Sequence, residues 1–228
     1  MEFVNENLLS QEQRTEEWYK NRAGKFTGSR FVDLFARDLK GNPLKAYTDL
    51  INQVVVERLT NDYIDNGMDS YALKWGREVE PFGRDAYCFY TGEKVIEASF
   101  INHPIYEFVG ASPDGRIGKN GGLELKCPKD PKIHIERFNS GMNEKEFMPQ
   151  VQGCIWCCDA EYWDWVSFDP RMPDYMRLYI QRVWRNDAYI KKLESAVLRA
   201  EGEVREQLIN FKPENVRKIL DKSFNTER

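Results

Sequence analysis

Apolar positions recur along this chain at two spacings, and the alternation between them predicts its elements. Helical spacing of three to four residues predicts a short helix capped by Thr15 that runs through Trp18 and Tyr19 and stops at Gly24. Further helices are predicted over Ser29–Ala36, with Thr27 or Ser29 as cap, and over about Leu44–Leu59, with Leu50, Val54 and Leu59 facing the core. Beyond the polar loop Asn61–Asp69, helical spacing returns from Ser70 to Tyr90, with Pro81 expected to kink or restart the helix just after Glu80. Glu93–Ile101 alternates as a strand does, Tyr106–Gly110 is a short apolar run, and Leu123-Glu124-Leu125-Lys126 alternates again. Helices at Asp130–Asn139 and Glu144–Asp159 precede strands at Tyr162–Phe168 and Met176–Trp184, joined by the turn Asp169–Pro173. The last stretch, Asn186–Phe224, is helical with a break near Pro213 and reads as packing and assembly surface. Strands and helices alternate, so the predicted class is α/β (α+β): a central mixed sheet flanked by helices.

Chemistry concentrates where the second and third of these strands meet. Gly110-Ala111-Ser112-Pro113-Asp114-Gly115 delivers an acid at a turn. In Gly121-Gly122-Leu123-Glu124-Leu125-Lys126-Cys127-Pro128, a period of two puts Glu124 and Lys126 on one face and Leu123 and Leu125 on the other. Carboxylate oxygens are the hard ligands Mg²⁺ prefers, and an adjacent ammonium can orient a water, so this set suits metal-assisted phosphodiester hydrolysis. The same spacing also fits a surface hairpin with an ordinary Glu–Lys pair. Glu80 taken by itself is an ordinary surface acid; only its neighbours raise it to a candidate.

Composition narrows the choice. At 228 residues, 41% hydrophobic and 31% charged, the chain is expected to form one folded domain over residues 1–228. No apolar run approaches a membrane span, and Met1–Glu6 lacks the order of a signal peptide, so a cytoplasmic protein without membrane association is expected. The five cysteines, with Cys154, Cys157 and Cys158 crowded around Trp156, suit buried thiols in a reducing compartment better than disulfides or a metal site. His103 and His134 read as loop or helix-surface residues and not as catalysts.

The net charge of −4 is the wrong sign for a uniformly basic nucleic-acid binder. Between Arg14 and Lys45, however, eight basic residues stand against four acidic ones, either a solvated face or a surface turned to phosphates. In Lys25-Phe26-Thr27-Gly28-Ser29-Arg30 a hydroxyl, free backbone N–H groups at a helix start and Arg22 just upstream would form an anion pocket fit for a DNA phosphate.

Taken together, these residues resemble the phage lambda exonuclease (YqaJ-type viral recombinase) group of the PD-(D/E)xK nuclease superfamily. The likeness spans most of the chain: Glu17-Trp18-Tyr19-Lys20-Asn21-Arg22, Thr27-Gly28-Ser29, Trp75-Gly76-Arg77-Glu78-Val79-Glu80, Ser112-Pro113-Asp114-Gly115, Gly122–Pro128, Gln150-Val151-Gln152 and Phe168-Asp169-Pro170-Arg171-Met172. The resemblance implies a restriction-endonuclease-like core and a 5′-to-3′ exonuclease that digests linear double-stranded DNA, prefers a 5′-phosphate and leaves a 3′ single strand for recombination by strand annealing. It implies Asp114 and Glu124 as principal ligands of two Mg²⁺ ions, with Mn²⁺ as a substitute, and the Leu125 carbonyl and Glu80 completing the set. Lys126 would position and activate the attacking water, and Gln150 would join the catalytic group, although Gln152 fits that place after a small shift of alignment. Arg22 and Ser29 fall in the family's 5′-phosphate pocket, and Lys132 stands where the family has another basic DNA-contacting residue. A homotrimeric ring and a single-strand annealing protein are the implied partners. The alternatives are an endonuclease or nickase on the same core, and a non-catalytic DNA-binding scaffold.

Overall fold

The structure is a computed structural model that describes residues 13–64 and 71–225. The expected helix start at Ser70, the latter part of the expected loop Asn61–Asp69, and Met1–Glu6 lie outside the described residues.

Local chemistry sets the first elements. Thr15 accepts the Trp18 N–H at 3.2 Å and caps α1 (Glu16–Arg22), which ends just before Gly24 at φ +70°. After strand β1 (Phe26–Thr27) the expected α-helix is replaced by a 3₁₀ helix, Gly28–Phe35, to which Thr27 gives no side-chain cap. Its buried residues Gly28, Phe31 and Leu34 recur every three positions, the period that a 3₁₀ helix stacks on one face. Helix α2 (Lys45–Thr60) buries Leu50 and Val54, but Leu59 is 54% exposed. Leu59 lies nine residues beyond Leu50, two and a half turns on, and so on the opposite face. Helix α3 (Tyr71–Thr91) continues through Pro81 without the expected restart. Proline there removes only the N–H that would have reached the Arg77 carbonyl.

The span 93–101 also departs from expectation. It forms two short strands, β2 (Val95–Ile96) and β3 (Ile101–Asn102), which belong to different sheets because Val95 pairs with Ile117 while Ile101 pairs with Ala111. Then follow β4 (Val109–Ala111), β5 (Gly115–Ile117), β6 (Gly121–Lys126), α4 (Pro131–Ser140) and α5 (Glu144–Cys158). Strand β7 (Tyr162–Phe168) has the predicted bounds; β8 (Leu178–Trp184) starts later than predicted, after a 3₁₀ turn at Asp174–Met176. Helices α6 (Asp187–Asn210) and α7 (Pro213–Asn225) close the described chain.

The strands form two sheets. One has the order β1-β4-β3 and the other β2-β5-β6-β7-β8. In the larger, β6 and β7 run parallel while β2–β5, β5–β6 and β7–β8 are antiparallel, so the sheet is mixed. Period two along β6 divides its side chains: Leu123 and Leu125 join Tyr87 of α3, Ile117 and Val166 in one cluster. Trp163 and Trp165 enter the larger cluster with residues of α2, α5 and α6. Helices therefore cover both faces. Helix α5 lies close on the 3₁₀ segment because residue 153 is glycine; a Cβ there would stand 2.2 Å from the Phe31 ring. On the other side, buried Asp164 accepts from Tyr87 at 2.5 Å and from Arg182 Nε and Nη2, both at 2.8 Å, pinning α3 to the sheet. No helix among the described residues is long and apolar enough to cross a membrane.

Candidate active site

Asp114 occupies the passage between the sheets, after β4 and just before β5. Its Oδ2 accepts the Leu125 N–H at 2.7 Å, which fixes the carboxylate against β6. Glu124, only 2% exposed, accepts through Oε1 from Gln150 Nε2 at 2.6 Å and from Lys126 Nζ at 2.7 Å. Lys126 also donates to Gln150 Oε1 at 3.2 Å, so the three side chains close a triangle between β6 and α5. Glu80 comes from α3 and accepts from Arg14 at 3.3 Å and Arg84 at 3.1 Å. Asp114, Glu124, Lys126 and Glu80 line one cleft of 460 Å³, together with Leu125, Cys127, Ser29 and Arg137.

Electrostatics follow from this crowding. Burial, with Glu124 and Glu80 close by, pushes the Asp114 carboxyl well above the usual carboxylate range. Burial alone would lower Lys126, but Glu124 and Asp114 outweigh it and raise the ammonium, so Lys126 stands protonated at neutral pH. Burial, with Glu80 and Asp114 nearby, pushes the Cys127 thiol up to about 12. Glu124 Oε2 is buried with no hydrogen-bond partner. A surplus of negative charge with an orphaned carboxylate oxygen fits a hard divalent cation, for which Asp114, Glu124, Glu80 and the Leu125 carbonyl supply oxygen donors. Among the described residues no group of three or more His, Cys, Asp or Glu side chains stands at metal-holding distance; Glu80 bonds Arg14 and Arg84.

Arg22, Ser29 and Lys132 are the residues expected to meet phosphates. Arg22 is buried against Trp18, its guanidinium 4.3 Å from the ring centroid, and donates to Ser112 Oγ at 2.8 Å and Thr27 Oγ1 at 3.3 Å. It forms no ion pair with any described acid, and burial draws its pKa down, which leaves a guanidinium ready for an anion. Ser29 is exposed on the cleft wall. Lys132 stands exposed in the first turn of α4, outside the cleft lining. The basic N-terminal stretch is largely committed to acids of this chain: Arg30 to Glu57 at 2.7 Å, Lys20 to Glu16 at 2.6 Å, Lys45 to Asp49 at 2.5 Å and Arg37 to Glu203 at 3.5 Å.

Several sequence expectations are resolved or corrected here. It is Gln150 that meets Glu124 and Lys126; Gln152 bonds the Trp184 carbonyl at 2.8 Å and the Asn186 N–H at 2.9 Å. His103 is a loop residue as expected, though buried, its Nδ1 accepting the Ile105 and Tyr106 N–H groups, both at 3.1 Å; His134 lies on α4 but is 0% exposed, not on the helix surface. Cys154 and Cys157 are buried free thiols whose pKa burial raises well above the usual range. The sequence did not reveal Ser112 as the partner of Arg22 or Arg137 as a cleft residue. Ser112 had a signal, standing two residues before Asp114; Arg137 had only its charge.

The profile of the YqaJ-like viral recombinase domain matches residues 17–161. An alkaline exonuclease from Laribacter hongkongensis superimposes with a TM-score of 0.80 at 33% identity, over 89% of this chain and 99% of that one. Its complex with dAMP gives 0.81 and 32% over the same shares. A phage-related exonuclease from Haemophilus somnus 129PT shares the fold at a TM-score of 0.67 and 14% identity, over 82% of this chain and 96% of that one. Uncharacterized protein R354 of Acanthamoeba polyphaga mimivirus is 24% identical over 172 residues, 68% of this chain, and this chain spans 29% of that relative's length.

Proposed function

The chain belongs to the YqaJ-like viral recombinase family, and from that premise we propose that it is a deoxyribonuclease: a metal-dependent exonuclease that digests linear double-stranded DNA from the 5′ end, favours a 5′-phosphate and leaves a 3′ single strand for annealing. The observation that carries this reading is the convergence of Asp114, Glu124, Glu80 and Lys126 on one cleft, with an unpartnered carboxylate oxygen inside it. Likeness to the Laribacter alkaline exonuclease over nearly its full length supports it.

Asp114, Glu124, Glu80 and the Leu125 carbonyl would hold Mg²⁺, with Mn²⁺ as a substitute; when bound, such ions supply Lewis-acid stabilisation to an in-line displacement at phosphorus. Lys126, held by Glu124 and Gln150, positions and activates the attacking water. Gln150 fixes Lys126 and Glu124 by bonding both, so the two cannot turn independently. Arg22 and Ser29, on the N-terminal side of the cleft, receive the terminal 5′-phosphate, and Lys132 meets the duplex farther out. A ring of three subunits would keep the enzyme on its DNA, and a single-strand annealing protein would take the 3′ strand.

The test is Mg²⁺-dependent digestion of linear duplexes bearing a 5′-phosphate or a 5′-hydroxyl, beside a covalently closed circle. Faster loss of the phosphorylated linear strand with the circle spared supports the exonuclease. A cut circle would replace it with an endonuclease, and tight binding without cleavage with a scaffold.

A further inference from the structure

Arg137 lines the cleft, and the proposed chemistry gives it no task. It projects from α4 over the ends of β6 and β7, where Lys126 and Ser167 are register partners. Among the described residues only Nη1 is engaged: it donates to Ser167 Oγ at 3.2 Å and, more weakly, to the Lys126 carbonyl at 3.5 Å. The rings of Trp165 and Phe147 lie 5.2 Å and 5.8 Å from its guanidinium carbon. No described carboxylate pairs with it, although Glu136 and Glu146 lie along the neighbouring groove between α4 and α5. Nε and Nη2 find no partner among the described residues and are not among the buried orphaned atoms, so they reach solvent, and Arg137 lines both the cleft and the groove between α4 and α5.

Behind Arg137 stands a buried relay that sets its direction. His134 Nε2 lies 2.8 Å from the Met176 carbonyl, which can only accept, so that nitrogen carries the proton. Nδ1 then accepts the Ser167 hydroxyl at 2.7 Å, and the serine's lone pairs are left facing Arg137. Both His134 and Ser167 are 0% exposed. A half-buried guanidinium with no counter-ion, held by neutral groups and presenting two free donors to an acidic cleft, matches the fork that a phosphodiester accepts.

We propose that Arg137 clamps a backbone phosphate of the bound DNA strand beside the acids, and that His134 and Ser167 are positioning residues that aim it. The assignment rests on the nuclease reading. It places a positive contact on the α4 side of the cleft, opposite the terminal-phosphate residues of the N-terminal segment.

Affinity for a duplex with a 5′-phosphate, measured in EDTA across a salt series, tests it. Removing one phosphate contact should make the slope of log K against log salt shallower by roughly 0.9 and weaken binding on the order of 10- to 100-fold. Arg137→Gln should show both changes. Arg137→Lys should keep the parent's slope but cleave more slowly than the parent, because a lysine cannot make the bidentate contact. Ser167→Ala should weaken binding in the parent yet add nothing in the Arg137→Gln background, a coupling that general structural damage would not give. An Arg137→Gln slope equal to the parent's overturns the clamp, and independent effects of Ser167→Ala and Arg137→Gln overturn the relay. A parent that neither binds nor cuts duplex DNA overturns the nuclease reading itself, a result visible before any variant is made.

Discussion

Gln150 Nε2 lies 2.6 Å from Glu124 Oε1, and that one oxygen carries every hydrogen bond Glu124 makes, leaving Oε2 buried and bare. Gln152, two residues along the same helix, points instead to the start of α6 and bonds backbone at both ends of its amide. Neighbouring glutamines thus serve the site and the scaffold separately. Gln150→Ala should lower the cleavage rate on the order of 10- to 100-fold with the melting temperature little changed, whereas Gln152→Ala should leave a buried carbonyl and N–H unpaired and lose about 1–3 kcal/mol of stability. Thermal melts beside cleavage assays separate the two; a Gln150→Ala protein of full activity would remove that residue from the site.

Asp114 makes the metal-free fold pH-sensitive. Its folded pKa is raised by burial and by Glu124 and Glu80, so the folded state binds more protons than the unfolded one above the ordinary aspartate value of about 4. The sign of linkage is then that stability falls as pH rises from there toward the raised folded value. Asp114→Asn should raise the melting temperature of the EDTA-treated protein at pH 7, by about 2–4 °C for each kcal/mol in a chain of this size. Mg²⁺ should raise the parent's melting temperature and leave the variant's nearly unmoved. A variant that melts lower than the parent in EDTA at that pH would contradict the charge crowding.

Arg30 and Glu57 form a buried, two-pronged pair at 2.7 Å and 3.1 Å, and Glu57 also accepts the Gly24 N–H at 2.8 Å. Glu57→Ala strands a guanidinium inside the protein and should lose about 3–5 kcal/mol, read by urea unfolding. A loss below about 1 kcal/mol would mean that Arg30 finds water or another acid.

What the sequence made legible was what depends on near neighbours. Period two along Leu123-Glu124-Leu125-Lys126 predicted both the buried leucines and the paired Glu and Lys, and the aromatic-rich stretch of β7 predicted its bounds. The capping hydroxyl of Thr15 was likewise a local fact. What stayed illegible depended on distant partners. Residues 93–101 alternate well enough for one strand, but Ile117 and Ala111 claim its two ends for different sheets. His134 looked like a helix-surface residue until Ser167 and the Met176 carbonyl, both more than thirty positions away, enclosed it. Arg137 could not be told from any other helical arginine without the strand ends beneath it.

Arg22 is held by Ser112 and Thr27 hydroxyls with no described carboxylate to neutralise it. Arg22→Ala should mainly erase the preference for a 5′-phosphate over a 5′-hydroxyl end, with a smaller loss on the hydroxyl substrate. Competition digests of the two ends measure this, and a variant that discriminates as the parent does would place the pocket elsewhere.

If the cleft around Asp114, Glu124 and Lys126 hydrolyses DNA, removing the Lys126 ammonium must silence it. Single-turnover cleavage of a 5′-phosphorylated linear duplex in Mg²⁺ by the parent and by Lys126→Ala, with DNA affinity measured in parallel, tests it most directly. The predicted result is a parent that cuts, and a variant that binds the duplex nearly as tightly but does not cut it; comparable cleavage by both proteins would contradict the account.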